Sequence, residues 1–237
     1  MDSFSSWNEL TDVNLAFLPI GAIEQHGYHL PINTDGIIAE ALANELSKRF
    51  EPSYCVPLLP YSASFEHADF PGCISLRIHT LTALVTDIVQ SLKRSGISNI
   101  VIINGHGGNH LLRNIVQELN ADDPRTVWGP FPNRRHWEEA YQAAGITETI
   151  SRDMHAGEGE TSLILHLMPK AVKKDKRSDC DSPDRTFLET VGMKPYTESG
   201  TIGFPTRATA EKGRLLLQSL TDQIALTLKD IEKLGRG

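Results

Sequence analysis

Short apolar runs and longer amphipathic segments alternate along this chain. Four apolar runs predict strands, and they cover residues 14–20, 55–61, 99–103 and 126–131. The third run is apolar at every position after Asn99, which is typical of a parallel strand covered by helices on both faces. The second run contains Pro57 and Pro60, so it is expected to form an edge strand or a strand-like loop.

Six segments place apolar residues at helical spacing, and they cover residues 37–50, 80–95, 110–120, 136–144, 160–167 and 208–234. The last of them carries an apolar stripe formed by Leu216, Leu220, Ile224, Leu228 and Ile231. Because strands alternate with helices, the pattern predicts an α/β sandwich with a mostly parallel sheet. Residues 170–205 are charged and interrupted by Pro and Gly, so irregular surface structure is expected there.

Length, charge and cysteine content narrow the class of protein. The 237 residues fit one large domain, and we expect a single domain over residues 1–237. The net charge of −7 argues against a nucleic-acid-binding protein, which usually shows a basic face. No secretory signal or membrane-spanning run is recognisable, and the three cysteines form no disulfide framework. These features predict a cytoplasmic protein of enzyme size.

The first candidate for chemistry lies just after the first strand. Glu24, His26 and Asp35 fall within twelve residues, and α/β sheets bind ligands at the carboxyl ends of their strands. Carboxylate and imidazole together suit zinc, manganese or iron, and the two oxygens of Asp35 allow it to bridge two ions. The alternative is a polar surface loop in which Asp35 caps the following helix.

The second candidate is the glycine-rich loop of residues 104–109, which follows the most apolar strand. His106 is well placed there as a metal ligand, and Gly105 and Gly107 would let the backbone approach a substrate closely. A phosphate-binding helix N-terminus or a simple tight turn remains the alternative.

Two further segments add histidine and carboxylate. His155 and Glu160 open a predicted helix, whereas Glu158 is explained by the preference of helix N-termini for acidic residues. Residues 64–76 could line a pocket or form an ordinary Pro-Gly turn, and Ser75 is our candidate there for substrate binding.

Together these segments resemble the creatininase (creatinine amidohydrolase) family. The resemblance runs in order through residues 18–27, 70–76, 104–109, 155–162 and 208–214. It implies a three-layer α/β fold that holds a pair of divalent metal ions. In this family's arrangement Glu24 and His106 would hold one ion, His26 the other, and Asp35 would bridge them. His155 matches the catalytic histidine of the family.

Two positions depart from the family pattern. Creatininase has a glutamate in its glycine-rich loop where this chain has Gly108, and we assign Glu160 as the replacement ligand. Phe204 stands where relatives often carry a polar residue. The first departure argues against creatinine itself as the substrate.

The resemblance implies a metal-dependent amidohydrolase that cleaves a non-peptide C–N bond of a small cyclic amide or formamide. The family also includes formamide deformylases and proteins of peptide-cofactor maturation, and hexamers occur in it, so we expect a homo-oligomer. Two alternatives remain: a non-catalytic protein that binds a small anionic ligand, and a metal-dependent phosphoesterase. Few Arg or Lys residues lie in the motifs, which disfavours the phosphoesterase.

Overall fold

A four-stranded parallel sheet forms the centre of the molecule. The computed structural model describes the backbone of residues 1–234 and the side chains of residues 1–229. The strands are β1 (Leu15–Ile20), β2 (Tyr54–Cys55), β3 (Asn99–Asn104) and β4 (Val127–Phe131). They are ordered β2-β1-β3-β4, and every pair is parallel. The edge strand β2 contains only Cys55 of the second apolar run, and Leu59 adds an isolated bridge to Ile20, as expected of a strand-like loop with two prolines.

Seven α-helices are described, and each predicted helix is present with ends shifted by up to three residues. They are α1 (Thr34–Arg49), α2 (Ile78–Arg94), α3 (Leu112–Asp122), α4 (Arg134–Ala143), α5 (Glu158–Leu167), α6 (Leu188–Val191) and α7 (Ala210–Leu234).

The helices cover both faces of the sheet, which confirms the three-layer α/β fold. One face packs Phe17, Val101 and Ile103 against apolar side chains of α1, α4, α5 and α7. The other packs Leu18, Ile100 and Ile102 against α2 and α3. Successive side chains of a strand point to opposite faces. The buried positions of the two central strands therefore need apolar side chains on both faces. The last helix buries its predicted stripe from Leu216 to Leu228, whereas the side chain of Ile231 lies outside the described residues.

The connections leaving β1 and β3 place a crevice between these two strands. The chain leaves β1 toward α1 on one face, and leaves β3 toward α3 on the opposite face. Open α/β sheets bind ligands where neighbouring connections diverge in this way. The carboxyl ends of β1 and β3 are therefore where the segments containing Glu24 and His106 meet.

The expectation of irregular surface structure for residues 170–205 is wrong in part. Met193 and Ile202 are almost fully buried and pack with Phe70 in a small apolar cluster. The segment lies across the carboxyl edge of the sheet, where His155 and Ile202 pair their backbones. Gly200 and Gly203 have positive φ and pack closely against Gln25 and Asp153, so the segment forms a covering over the crevice that its composition did not predict.

The described helices include none that is both long and apolar enough to cross a membrane. Cys55, Cys73 and Cys180 are free thiols.

Candidate active site

The loop after β1 brings three acidic and imidazole side chains into the interior. Glu24 and His26 are fully buried and Asp35 is 1% exposed. Asp35 does not precede the helix, because α1 begins at Thr34 and has Asn33 before it. Asp35 therefore sits in the first turn of α1, where the partial positive charge of the helix N-terminus favours a carboxylate.

Close backbone contact brings the loop after β3 to the same place. A Cβ atom on Gly105 would lie 2.1 Å from the carbonyl oxygen of Asp35, so only glycine allows the end of β3 to approach α1 this closely. The next residue, His106, then reaches the carboxylates of the first loop. Gly105 contributes to the site through this packing, and it also lines the cavity described below.

Glu24, Asp35 and His106 form the first cluster. The Nδ1 atom of His106 lies 3.2 Å from Glu24 Oε2 and 3.3 Å from Asp35 Oδ2. Each residue offers one ligand atom, and these atoms lie within 4.8 Å of one another. Burial disfavours a charged imidazole, but the Glu24 carboxylate and the hydrogen-bonding carboxylates raise the pKa of His106 well above its usual value.

His26 and Glu160 extend the cluster on the other side of Asp35. His26 Nε2 lies 3.0 Å from Asp35 Oδ1 and 3.9 Å from Glu160 Oε1. Burial opposes the charge on His26, but Asp35 and the other carboxylates raise its pKa to about 9. Burial raises the pKa of Glu160 to about 7. These shifts show a site crowded with buried carboxylates and short of positive charge.

Two buried oxygens of this site, Glu24 Oε1 and Asp35 Oδ2, form no hydrogen bond of acceptable geometry among the described residues, although imidazole nitrogens of His67 and His106 lie 3.2 and 3.3 Å from them. A buried carboxylate oxygen without a partner is costly, and a divalent cation is the partner that satisfies carboxylate and imidazole together. The donor set therefore fits divalent metal, and Asp35 presents one oxygen to each half of the cluster.

His155 lies beside both halves of the cluster. Its ring centroid is 4.2 Å from that of His26 and 4.5 Å from that of His67. Nε2 donates to the carbonyl oxygen of Gln25 at 2.6 Å, so Nδ1 carries the free lone pair and lies 3.7 Å from Glu24 Oε1. Burial, with His26 and His67 nearby, holds the pKa of His155 well below its usual value. The imidazole is neutral with Nδ1 available.

The structure also brings in His67, which sequence reasoning did not assign. Gln25 Oε1 accepts from the backbone of Gly27, so the Gln25 amide nitrogen faces His67 Nδ1 at 2.9 Å. An amide NH₂ can only donate, so Nδ1 accepts and the proton of His67 sits on Nε2. That atom lies 3.2 Å from Glu24 Oε1, and burial lowers the pKa of His67 to about 3.

Glu66 is the second residue that the sequence did not assign. Its Oε1 lies 3.3 Å from His106 Nε2, and although burial opposes the charge, His106 lowers the pKa of Glu66 to about 2. Both Glu66 and His67 lie in a short 3₁₀-helix. The only sequence signal was the density of polar side chains between residues 64 and 76.

A cavity of about 400 Å³ opens onto these residues. Gly105, Gly107 and Gly108 form part of its wall, together with Trp137 and Met154. Ser75 does not line this cavity: its hydroxyl accepts from the backbone of Ser64 and donates to that of Leu76. Glu158 is paired with Lys212, which leaves it with a structural role.

Comparison with known proteins agrees with this geometry. The family model described as "Creatininase: Creatinine amidohydrolase" matches residues 3–228. A "Mycofactocin precursor peptide peptidase" of Mycobacterium ulcerans (strain Agy99) is 33% identical over 86% of this chain and 80% of its own length. The "Creatinine amidohydrolase" of Pseudomonas putida is 28% identical over 90% of this chain and 88% of its own length.

Solved structures show the same fold. The structure described as "Creatininase Mn" superposes with a TM-score of 0.82 at 26% identity, covering 97% of both chains. A variant creatininase of "Zn-Zn type" gives the same values. The match spans nearly the whole chain and includes the segments that carry the buried histidines and carboxylates. The chain therefore belongs to the creatininase family of metal-dependent hydrolases that act on carbon–nitrogen bonds.

Proposed function

We propose that this protein hydrolyses an amide C–N bond with water activated by two divalent metal ions. The observation that carries the proposal is the buried cluster around Asp35, in which Glu24 Oε1 and Asp35 Oδ2 form no hydrogen bond of acceptable geometry among the described residues. Glu24 and His106 would hold one ion and His26 and Glu160 the other, with Asp35 as the ligand available to both. Zinc, manganese and iron all accept this donor set.

Bound at these residues, the metal pair supplies an activated water and polarises the substrate carbonyl. The chain itself supplies the proton transfer. His155 is neutral, and its Nδ1 faces the cluster because Nε2 is held by the carbonyl of Gln25. Nδ1 accepts the proton that leaves the attacking water and delivers it to the departing nitrogen. His67 holds Glu24 in place and is a positioning residue.

Glu66 is a second positioning residue, and Gly108 makes room for it. A Cβ atom at position 108 would lie 2.1 Å from Glu66 Oε1 and 2.4 Å from His106 Nε2. Glu66 thus occupies the space that a side chain at position 108 would take. Metal-binding histidines usually direct their second nitrogen at a carboxylate, and Glu66 provides one for His106.

We expect Glu66→Gln to weaken metal binding by about 10–100-fold, the usual effect of removing such a carboxylate. Competition with a chromogenic chelator measures the dissociation constant. Gly108→Ala should act in the same direction by displacing Glu66, and the double variant should be little worse than either single one. Glu189→Gln is the control, because Glu189 lines the same cavity without a contact to His106. Equal affinity in Glu66→Gln and the control would refute the role of Glu66.

Two types of amide fit the relatives of this chain. The relatives include a peptidase and a creatinine amidohydrolase, and both names denote cleavage of a C–N bond. Our prediction of a non-peptide bond in a cyclic amide or formamide therefore stands beside a second candidate, the peptide bond, favoured by the 33% identity to the peptidase. A cytoplasmic location, a homo-oligomeric state and a single domain over residues 1–237 also stay predictions.

The proposal is tested by chelation and metal restoration. Dialysis against a chelator should abolish hydrolysis of the best substrate in a panel of cyclic amides, formamides, short peptides and phosphomonoesters. Zinc, manganese or iron should then restore it. A chain that binds no divalent metal, or that hydrolyses phosphomonoesters and no amide, would contradict the proposal.

A further inference from the structure

A second cavity, of about 360 Å³, adjoins the active-site cavity and has the opposite charge. Seven residues lie in both walls, and they include the candidate metal ligand His106: Gly105, His106, Gly107, His110, Trp137, Ile150 and Met154. The active-site cavity is lined by five carboxylates, Asp35, Glu66, Asp153, Glu160 and Glu189, and by no Arg or Lys among the described residues. The second cavity is lined by Arg113, Arg134 and Arg185, and the described residues of its wall include no Asp or Glu. We call it the arginine cavity.

Two of these arginines have no carboxylate partner. The guanidinium of Arg185 donates to the backbone carbonyls of Ser182 and Ser151, so it is held in place without an ion pair among the described residues, although Asp181 lies near enough to interact with it electrostatically. Within the part of the chain that the structure describes, the Arg113 side chain has neither a hydrogen bond nor an ion pair. Arg134 is paired with Glu138 at 2.8 Å. In a chain of net charge −7, unpaired arginines around one concave surface are a distinct local feature.

Backbone groups add to the positive potential. The helices α3 and α4 follow β3 and β4 and begin at this cavity, where His110 and Asn133 form part of its wall. Helix N-termini carry a partial positive charge and favour anions. Arginine guanidinium groups favour carboxylate and phosphate because their donors match these planar or tetrahedral anions.

We propose that the arginine cavity binds an anionic group of the substrate, a carboxylate or a phosphate, while the amide lies over the acidic cluster. This rests on the proposed function and adds the substrate class: an amide with an anionic substituent. The arginines lie outside the sequence motifs, which is why the motifs alone showed little positive charge. Because no arginine lines the active-site cavity itself, the anion is held at a distance from the reacting bond, as expected of a recognition group rather than the group that reacts.

The test compares hydroxamates that differ only in their tail. Acetohydroxamate, the monohydroxamate of succinic acid and the corresponding phosphonate are titrated into the metal-loaded chain by calorimetry. We expect the anionic compounds to bind roughly tenfold tighter than acetohydroxamate. Arg113→Gln and Arg185→Gln should each reduce this preference, and the double variant should remove it. Arg94→Gln is the matched control, since Arg94 is exposed on α2 and its one hydrogen bond to a described residue goes to Ser91.

Arg113→Gln is the decisive variant, because the Arg113 side chain is exposed and makes no hydrogen bond or ion pair with the described residues whose loss could disturb the fold. An unchanged preference in both arginine variants overturns the proposal, as does equal binding of all three compounds to the unaltered chain. The tighter of the two anionic compounds identifies carboxylate or phosphate as the recognised group. A separate titration with inorganic phosphate tests the anion site independently of the proposed metal-dependent function. Suppose that no hydroxamate binds, that phosphate does bind, and that Arg113→Gln abolishes the binding of phosphate. This result would support an anion site in the arginine cavity and contradict the metal-dependent function.

Discussion

Replacing Asp35 by alanine should release both metal ions and abolish hydrolysis. The Asp35 oxygens face different halves of the cluster, since Oδ1 lies 3.0 Å from His26 Nε2 and Oδ2 lies 3.3 Å from His106 Nδ1. No other described carboxylate contacts both imidazoles. Its loss leaves each ion with two protein ligands, fewer than the three that catalytic sites usually retain. Elemental analysis should show a fall from two ions per chain to none.

The controls separate loss of metal from loss of fold. Asp87→Ala removes an exposed carboxylate of α2 and should leave metal content unchanged. Thermal unfolding of the metal-free Asp35→Ala chain checks that the fold persists, and Asp35→Asn keeps the shape of the side chain while removing its charge. If Asp35→Ala retained two metal ions per chain, Asp35 would not be the bridging ligand.

The variant His155→Asn should lower kcat by a factor on the order of 10²–10⁴, the range typical of a general acid–base residue, while both metal ions remain bound. The geometry behind this expectation is the neutral imidazole whose Nδ1 faces Glu24 at 3.7 Å. His155 also lies within reach of two groups of potential ligands, one with Glu24 and His67 and one with His26 and Glu160. The metal content of the variant therefore distinguishes a proton-transfer role from a ligand role.

His166→Asn is the matched control for His155, because His166 is exposed at the end of α5 and should tolerate the change without loss of activity. A His155→Asn enzyme that loses one ion would identify His155 as a ligand. A variant with unchanged kcat and full metal content would remove it from the mechanism altogether.

The fold was largely predictable from the sequence because its strands and helices obey simple periodicities. The run from Ile100 to Ile103 is apolar throughout, and it forms a central strand buried on both faces. The stripe that begins at Leu216 likewise marks the buried face of α7. The covering formed by residues 170–205 was not predictable, since its buried Met193 and Ile202 occur singly in a polar, irregular segment.

The site was predictable only where residues lie at the ends of strands or in the first turn of a helix. Glu24, His26, Asp35 and His106 come together because β1 and β3 are neighbours and parallel, an arrangement that alternating strands and helices imply. Glu66 and His67 reach the site from a loop of no periodicity, so no pattern placed them there. Gly108 appeared to be the loss of a ligand, and the structure shows that it also opens space for Glu66.

Anomalous diffraction from a crystal of the manganese- or zinc-loaded protein tests the two-metal claim most directly. We expect two anomalous peaks, one contacted by Glu24 and His106 and one by His26 and Glu160, with Asp35 between them. A single peak that Asp35 does not contact, or two peaks with Glu160 bound to neither, would contradict it.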